Sequence, residues 1–399
     1  MTAIKPNQLS RPTQAVILAG GRGIRLRPFT DTKPKAMIQF HGKVFLEYLI
    51  EMLRDQGFER VLLLLGYLPE VIQDYFGDGR KLGIEIDYSV SSEDDETGRR
   101  IKLAEPRLDP CFLLMYCDNY WPMRMDDMWE RFAAANVLSM ITIYSNVDGY
   151  SKDNVYVDQD GYVVVYDKSR AAPGLQGVEI GYMLMNRSGL DLLPKNNSSF
   201  ELTVYPRLIK QRQLLTYMTD HRYYSVGSHD RLPLTNTFLA RRPTIILTRD
   251  SVLVRKPAGE HKVCAWDGFQ WLPESLEALC LLREAGYRVI IVSGEPDAAS
   301  GLGIEDDLAS CIKAEAVEAG GRIDGIYYRG NGRDSQYECR GNGTGVLFHI
   351  QRDFDLDLTR TCFVGCHEGD SRTASLAGCP VTLMSQGTSL LGVVRELLR

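Results

Sequence analysis

Residues 14–35 read QAVILAGGRGIRLRPFTDTKPK, and this stretch decides how the first half of the chain is built. Ala15–Ala19 is a short, wholly apolar run, which predicts a strand buried on both faces. Three glycines follow at Gly20, Gly21 and Gly23, then Arg25 and Lys35. In an open parallel sheet, ligands bind just beyond the carboxyl ends of the strands. Glycines there let the backbone approach a polyphosphate and turn N–H groups toward it. Arg25 and Lys35 add mobile positive charge suited to a triphosphate and to the charge that develops in phosphoryl transfer. A bare G-G-x-G would read as an ordinary turn among surface arginines. The added R-L-x-P and P-K, at this spacing behind a strand, favour a phosphate loop.

Outward from this stretch, apolar runs alternate with amphipathic ones. Val44–Gln56 and Glu70–Phe76 read as helices, and Val61–Leu65, Ile84–Val90 and Phe112–Tyr116 as strands, a rhythm of parallel sheet covered by helices. Beyond Leu138 the pattern turns strand-like over Met140–Tyr144, Val155–Asp158 and Tyr162–Tyr166, with a turn at Asp160-Gly161, so a mixed sheet is expected. The rhythm restarts at Arg241-Arg242-Pro243. Strands are expected at Thr244–Leu247, Tyr287–Val292, Gly325–Tyr328, Thr361–Val364 and Val381–Met384, with helices at Pro273–Ala285 and Ile304–Ala319. The expected organisation is a flexible tail over 1–13 and two α/β domains, 14–240 and 241–399.

The composition agrees with globular domains: of 399 residues, 44% are hydrophobic and 25% charged. A net charge of −6 without a basic cluster argues against nucleic acid as a partner. An anionic substrate must then be held by a few placed cations. Nine cysteines without a C-x-x-C pair read as reduced thiols. The polar start and the absence of a long apolar run predict neither a signal peptide nor a membrane span, hence a cytoplasmic protein.

The pattern G-G-x-G-x-R-L-x-P-x-T…P-K resembles the signature of the sugar-1-phosphate nucleotidyltransferases. Further matches follow in order to about Leu239. Phe45-Leu46-Glu47-Tyr48 and Gly66-Tyr67 are similar to members acting on heptose or mannose 1-phosphate, the guanylyltransferase-like branch. The resemblance implies that Gly20, Gly21, Gly23, Glu96, Thr97 and Gly98 hold the nucleotide, the last three as a loop touching the base. It implies catalytic roles for Arg25, Lys35, Asp118 and Lys168, with Asp118 a magnesium ligand and Lys168 holding the sugar phosphate. Glu179, Gly181 and Glu201 fall where relatives contact sugar hydroxyls. Alone, Asp118 would read as a strand-end turn residue and Lys168 as a solvated hairpin lysine. Three departures stand out: Ile24 replaces a Thr, Arg99-Arg100 make the base loop bulkier and more positive, and Ser225 replaces the second metal-binding Asp. A serine hydroxyl is a far weaker magnesium ligand than a carboxylate.

From Thr244 onward the chain resembles haloacid-dehalogenase-type phosphatases, most closely the heptose 1,7-bisphosphate branch, through TIILTRDSV, LEALCLLREAGYRVIIVS and Val364-Gly365…Asp370. Asp250, Ser293 and Asp370 match that pattern. The nucleophile position is Thr248, a metal-binding Asp is Cys366, and no lysine follows Cys339-Arg340. A threonine without an adjacent base is a poor nucleophile. Together the resemblances imply an α/β protein: an N-terminal Rossmann-like nucleotidyltransferase domain with a mixed sheet and a C-terminal haloacid-dehalogenase-like domain, inactive as a phosphatase. The expected reaction joins a heptose or hexose 1-phosphate to a nucleotide from an NTP, with Mg²⁺ and release of pyrophosphate, for surface-glycan nucleotide sugars. Self-association is left open. Two alternatives stand beside it: a non-catalytic regulatory protein, and a bifunctional transferase and phosphatase.

Overall fold

The computed structural model describes residues 10–255, 269–293, 302–328, 344–385 and 387–399. Two compact units divide it, Met1–Ala240 and Arg241–Arg399. Of the stretch expected as a tail, residues 1–9 lie outside the described residues. Arg11, by contrast, is anchored, its guanidinium donating to Gln56 O at 2.6 Å and to Asp126 Oδ1 at 2.8 Å.

The first unit is built on a seven-stranded mixed sheet. Its strands lie in the order Leu214–Thr219, Ser139–Tyr144, Val178–Asn186, Cys111–Tyr116, Gln14–Leu18, Arg60–Leu65, Glu85–Val90. Gln14–Leu18 runs parallel to both neighbours, and Val178–Asn186 is antiparallel to both of its own. Strand alternation sends Ala15, Ile17, Leu63, Leu65, Leu113 and Met115 into one core and Val16, Leu18, Leu62, Leu64, Phe112 and Leu114 into another. Helices must cover both faces, which is why these strands read as continuous apolar runs. Phe45–Asp55 does so on one side, burying Phe45, Leu46, Leu49, Ile50 and Leu53 at helical spacing.

Sequence periodicity leaves out two strands of this sheet, Val178–Asn186 and Leu214–Thr219. The first is interrupted by Glu179 and Gly181, and its register shifts between Glu179 and Met183. That bulge breaks the alternation on which a sequence reading relies. Residues 96–98 also differ from the loop expected there, since Thr97 and Gly98 open the helix Thr97–Ala104.

The second unit carries a five-stranded sheet, parallel throughout, in the order Gly325–Tyr328, Arg288–Ser293, Thr244–Thr248, Cys362–Gly365, Val381–Leu383. Alternation again divides the core, with Ile245, Leu247, Val289 and Ile291 on one face and Ile246, Ile290, Val292 and Phe363 on the other. Among the described residues, no helix is long and apolar enough to cross a membrane.

Candidate functional site

The loop after Gln14–Leu18 is shaped by Gly23. Its φ of 63° is a left-handed conformation that disfavours a side chain, and its carbonyl accepts from Leu26 N–H and from the Thr30 hydroxyl, each at 2.9 Å. This closes a short 3-10 turn over Ile24–Leu26 and leaves Gly21, Ile24 and Arg25 exposed. A Cβ at Gly23 would lie 3.0 Å from Lys35 Cβ, so the turn and the P-K segment touch.

Lys35 reaches across to the end of the neighbouring strand Cys111–Tyr116, where its Nζ lies 2.5 Å from Asp118 Oδ2. Burial by itself would lower the lysine pKa, but the Asp118 charge and hydrogen bond outweigh it and hold the ammonium above its ordinary value. The adjacent Cys117 thiol is pushed up to about 11 by burial and stays protonated at neutral pH. Asn119-Tyr120 pairs antiparallel with Tyr224-Ser225, which sets Ser225 opposite Asn119, and Val226 N–H donates to Asp118 O at 2.9 Å. Ser225 is buried, and its Oγ accepts from Gly227 N–H at 3.0 Å. A Cβ at Gly227 would stand 3.1 Å from Ser225 Oγ and 3.6 Å from Arg25 Nη2. Arg25, Lys35, Asp118 and Ser225, from four separate segments, are thus gathered beside the glycine loop.

Among the described residues, no group of three or more His, Cys, Asp or Glu side chains forms a metal cage. Asp118 offers one carboxylate and Ser225 a neutral hydroxyl. A hard divalent ion is often held by one or two carboxylates together with substrate phosphates. This donor set fits an ion carried chiefly by bound phosphates.

A second group of acids pairs half-buried Glu179 with buried Glu201. Gly181, with φ 84°, forms the bulge, and a Cβ there would come within 2.9 Å of the Tyr116 ring. Its N–H donates to Glu179 Oε1 at 2.6 Å. Burial, reinforced by the charges of Glu201 and Asp118, raises the Glu179 carboxyl to about 8 against this hydrogen bond. Glu201 behaves oppositely. Its burial penalty is outweighed by hydrogen bonds from Ser199 and Tyr116, with Lys168 adding favourable charge, and its pKa is lowered. Lys168 itself is exposed. Asp167 beside it caps a turn, accepting from the Ser169 hydroxyl and N–H and from the N–H groups of Ala171 and Ala172, bonds that hold it well below the usual carboxylate range.

Thr97 joins this acidic group, donating to Glu201 Oε2 at 3.2 Å and accepting from Phe200 N–H at 2.8 Å. Gly98 is fixed by packing: its N–H donates to Ser198 O at 3.0 Å, and a Cβ would lie 2.7 Å from that oxygen. Glu96 is exposed, its backbone N–H donating to Asn197 Oδ1 at 2.7 Å. Gly20 is buried against Arg100, which is turned inward and not displayed on a positive loop. Sequence reasoning missed Tyr116 and Asn119. The Tyr116 hydroxyl donates to Glu201 Oε1, and Asn119 Nδ2 ties the Asp118 turn to Ile180 O at 2.9 Å. Their position just before and after Cys117-Asp118 is the signal that could have found them.

In the second unit, Thr248, Ser293 and Cys366 lie at or just past the carboxyl ends of three adjacent strands. The Thr248 hydroxyl donates to Val364 O at 3.4 Å. Asp250 is held by its neighbour Arg249, Nε to Oδ1 at 2.7 Å. Asp370 accepts from Cys366 N–H at 3.0 Å and His367 N–H at 3.2 Å, capping the helix Glu368–Ala377. Ser293 Oγ is buried with no hydrogen-bond partner among the described residues. The segment expected to lack a lysine, 339–343, lies outside the described residues.

The chain is 28% identical over 221 residues to the mannose-1-phosphate guanyltransferase of Gibberella zeae, covering 54% of this chain and 60% of that protein. It is 35% identical over 118 residues to a UTP–glucose-1-phosphate uridylyltransferase of Haloferax volcanii, covering 30% of this chain and 48% of that one. The chain therefore spans about half to 60% of the length of these relatives. Among solved structures, it resembles a Bacillus anthracis protein described as a glucose-1-phosphate thymidylyltransferase, at TM-score 0.51 and 18% identity over 57% of this chain and 95% of that one. That likeness makes the N-terminal part an α/β fold with a mixed sheet of the nucleotidyltransferase type. Over residues 14–166, the sequence matches the Nucleotidyl transferase family.

Proposed function

We propose that this chain is a sugar-1-phosphate nucleotidyltransferase. It joins a hexose or heptose 1-phosphate to the nucleotide unit of a nucleoside triphosphate and releases pyrophosphate. The observation that carries this reading is the gathering of Arg25, the Lys35–Asp118 pair and Ser225 beside a glycine loop at the carboxyl end of a central parallel strand. The relatives whose names include guanyltransferase and uridylyltransferase support the reaction class and leave the base open.

A phosphate oxygen of the sugar phosphate attacks the α-phosphorus, and the bond to the bridging oxygen of the β-phosphate breaks. The nucleophile is already ionised, so placement and charge neutralisation carry the catalysis, not a general base. Arg25 and Lys35 neutralise the triphosphate, and exposed Lys168 positions the sugar phosphate. Glu179 and Glu201, grouped around the Gly181 bulge and Tyr116, bind sugar hydroxyls. Mg²⁺, with Asp118 as its protein carboxylate, would neutralise the α-phosphate and the departing pyrophosphate. The second unit is read as a haloacid-dehalogenase-like domain without phosphatase turnover, supported by the convergence of Thr248, Ser293 and Cys366 at strand ends with no nucleophilic carboxylate at position 248.

A coupled pyrophosphate assay tests the reading, with each common NTP offered alongside mannose, glucose or heptose 1-phosphate and Asp118→Asn as control. Pyrophosphate release that depends on the sugar phosphate and is lost in the control supports it. Silence with every pair, while nucleotides still bind, favours instead a non-catalytic nucleotide-binding protein, the reading that Ser225 in a carboxylate position suggests.

A further inference from the structure

Arg100, on the helix Thr97–Ala104, is only 5% exposed. Its guanidinium rests on two glycines that follow the adjacent central strands Gln14–Leu18 and Arg60–Leu65. A Cβ built at Gly20 would lie 2.4 Å from Arg100 Nη1, and one at Gly66 2.2 Å from it. Neither glycine has a positive φ. What they provide here is closeness, a slot in which a flat group can lie on bare backbone.

The flat group in that slot belongs to the chain itself. Arg100 Nη1 donates to Leu65 O at 2.7 Å and to Ser91 Oγ at 2.9 Å, while Nη2 donates to Gly20 O at 3.3 Å and to Glu93 O at 3.2 Å. All four N–H groups of the two terminal nitrogens are spent on protein oxygens, so of the five guanidinium donors only Nε–H is not engaged in this way. The slot lies at the carboxyl ends of the central strands, where an open parallel sheet takes its ligand. It also adjoins Gly20, the first residue of the phosphate loop. A nucleotide with its phosphates on that loop has its ring within reach of this slot, and a planar ring is what two bare glycines would admit.

Resting on the nucleotide reading above, we propose that Arg100 is a specificity-determining residue that occupies the slot between Gly20 and Gly66 in place of a nucleobase. The chain consequently grips a nucleoside triphosphate by its phosphates and discriminates little among bases.

Calorimetric titration of the full chain with inorganic triphosphate and the four common NTPs, in Mg²⁺, tests this on the parent and on Arg100→Ala. The parent should bind all five within about threefold of one another. Arg100→Ala should gain about tenfold or more for at least one NTP, with inorganic triphosphate changed by less than about threefold. Should Arg100→Ala melt early, Arg100→Met, which keeps the packed stem, is held to the same outcome. A parent that prefers one NTP by about tenfold, or variants that bind every NTP as the parent does, overturns the proposal while triphosphate binding preserves the nucleotide reading. Failure of parent and variants to bind inorganic triphosphate or any NTP overturns both.

Discussion

The Lys35 ammonium stands 2.5 Å from the Asp118 carboxylate, across 83 residues of sequence and from the neighbouring strand end. The pair is largely buried, with side chains 20% and 18% exposed. Removing the lysine leaves a buried carboxylate without its cation, which is costlier than removing both charges. Lys35→Ala should weaken triphosphate binding by about tenfold, or ~1.4 kcal/mol, and lower the melting temperature. Lys35→Ala with Asp118→Asn should recover part of that melting temperature and none of the affinity. Calorimetry and thermal melts of the two forms check both. With the lysine pKa raised above the ordinary 10.5, the pair's contribution is complete below that value and is lost only as pH climbs past the raised one.

Ser225 stands opposite Asn119 and one residue from the Val226 N–H that binds Asp118 O. A carboxylate at 225 would stand opposite Asn119, the residue after Asp118, and add a second anionic donor next to the Asp118 turn. Ser225→Asp should lower the Mg²⁺ concentration needed for half-maximal pyrophosphate release. At limiting Mg²⁺ it should raise the rate about tenfold, equal to ~1.4 kcal/mol of transition-state stabilisation. A parent already saturated at low Mg²⁺ would show that the serine is no handicap.

Glu179 titrates near 8 in the folded chain against an ordinary 4.5, because burial and then the neighbouring acids disfavour its charge. Between those values the folded protein keeps a proton that the unfolded chain releases. The stability this lends is full below about pH 4.5 and is lost as pH rises to about 8. Glu179→Gln is neutral throughout, so its melting temperature relative to the parent should rise with pH across that window, by about 2 °C or more. Melts at several pH values between the two pKa values and above them read the difference directly, and a constant offset contradicts the assignment.

The Thr248 hydroxyl donates to Val364 O, and Asp250 is engaged by Arg249. The second unit should therefore release no phosphate from heptose 1,7-bisphosphate or related sugar phosphates. A malachite-green assay of the full chain checks this. Phosphate release that disappears in Asp250→Asn would restore the bifunctional reading.

Local chemistry made much of this protein readable from sequence. Buried parallel strands are apolar on both faces, so Gln14–Leu18, Arg60–Leu65 and Cys111–Tyr116 announce themselves, and so does the glycine-rich turn behind the first. The strand Val178–Asn186 did not, because its register is set by a bulge at Gly181 that answers to the ring of Tyr116. The roles of side chains whose partners lie far along the chain were likewise decided only in three dimensions. Sequence led to the expectation of Lys35 beside phosphate, and the fold brought Asp118 to it. Glu179 and Glu201 are the same kind of acid in sequence, yet desolvation and neighbouring acids raise the pKa of one while hydroxyl donors from Tyr116 and Ser199 lower that of the other. Arg100 reads as one more positive charge on a loop. Only packing shows it turned inward, because Gly20 and Gly66, which clear the space for its guanidinium, come from two different strand ends that the sheet sets side by side.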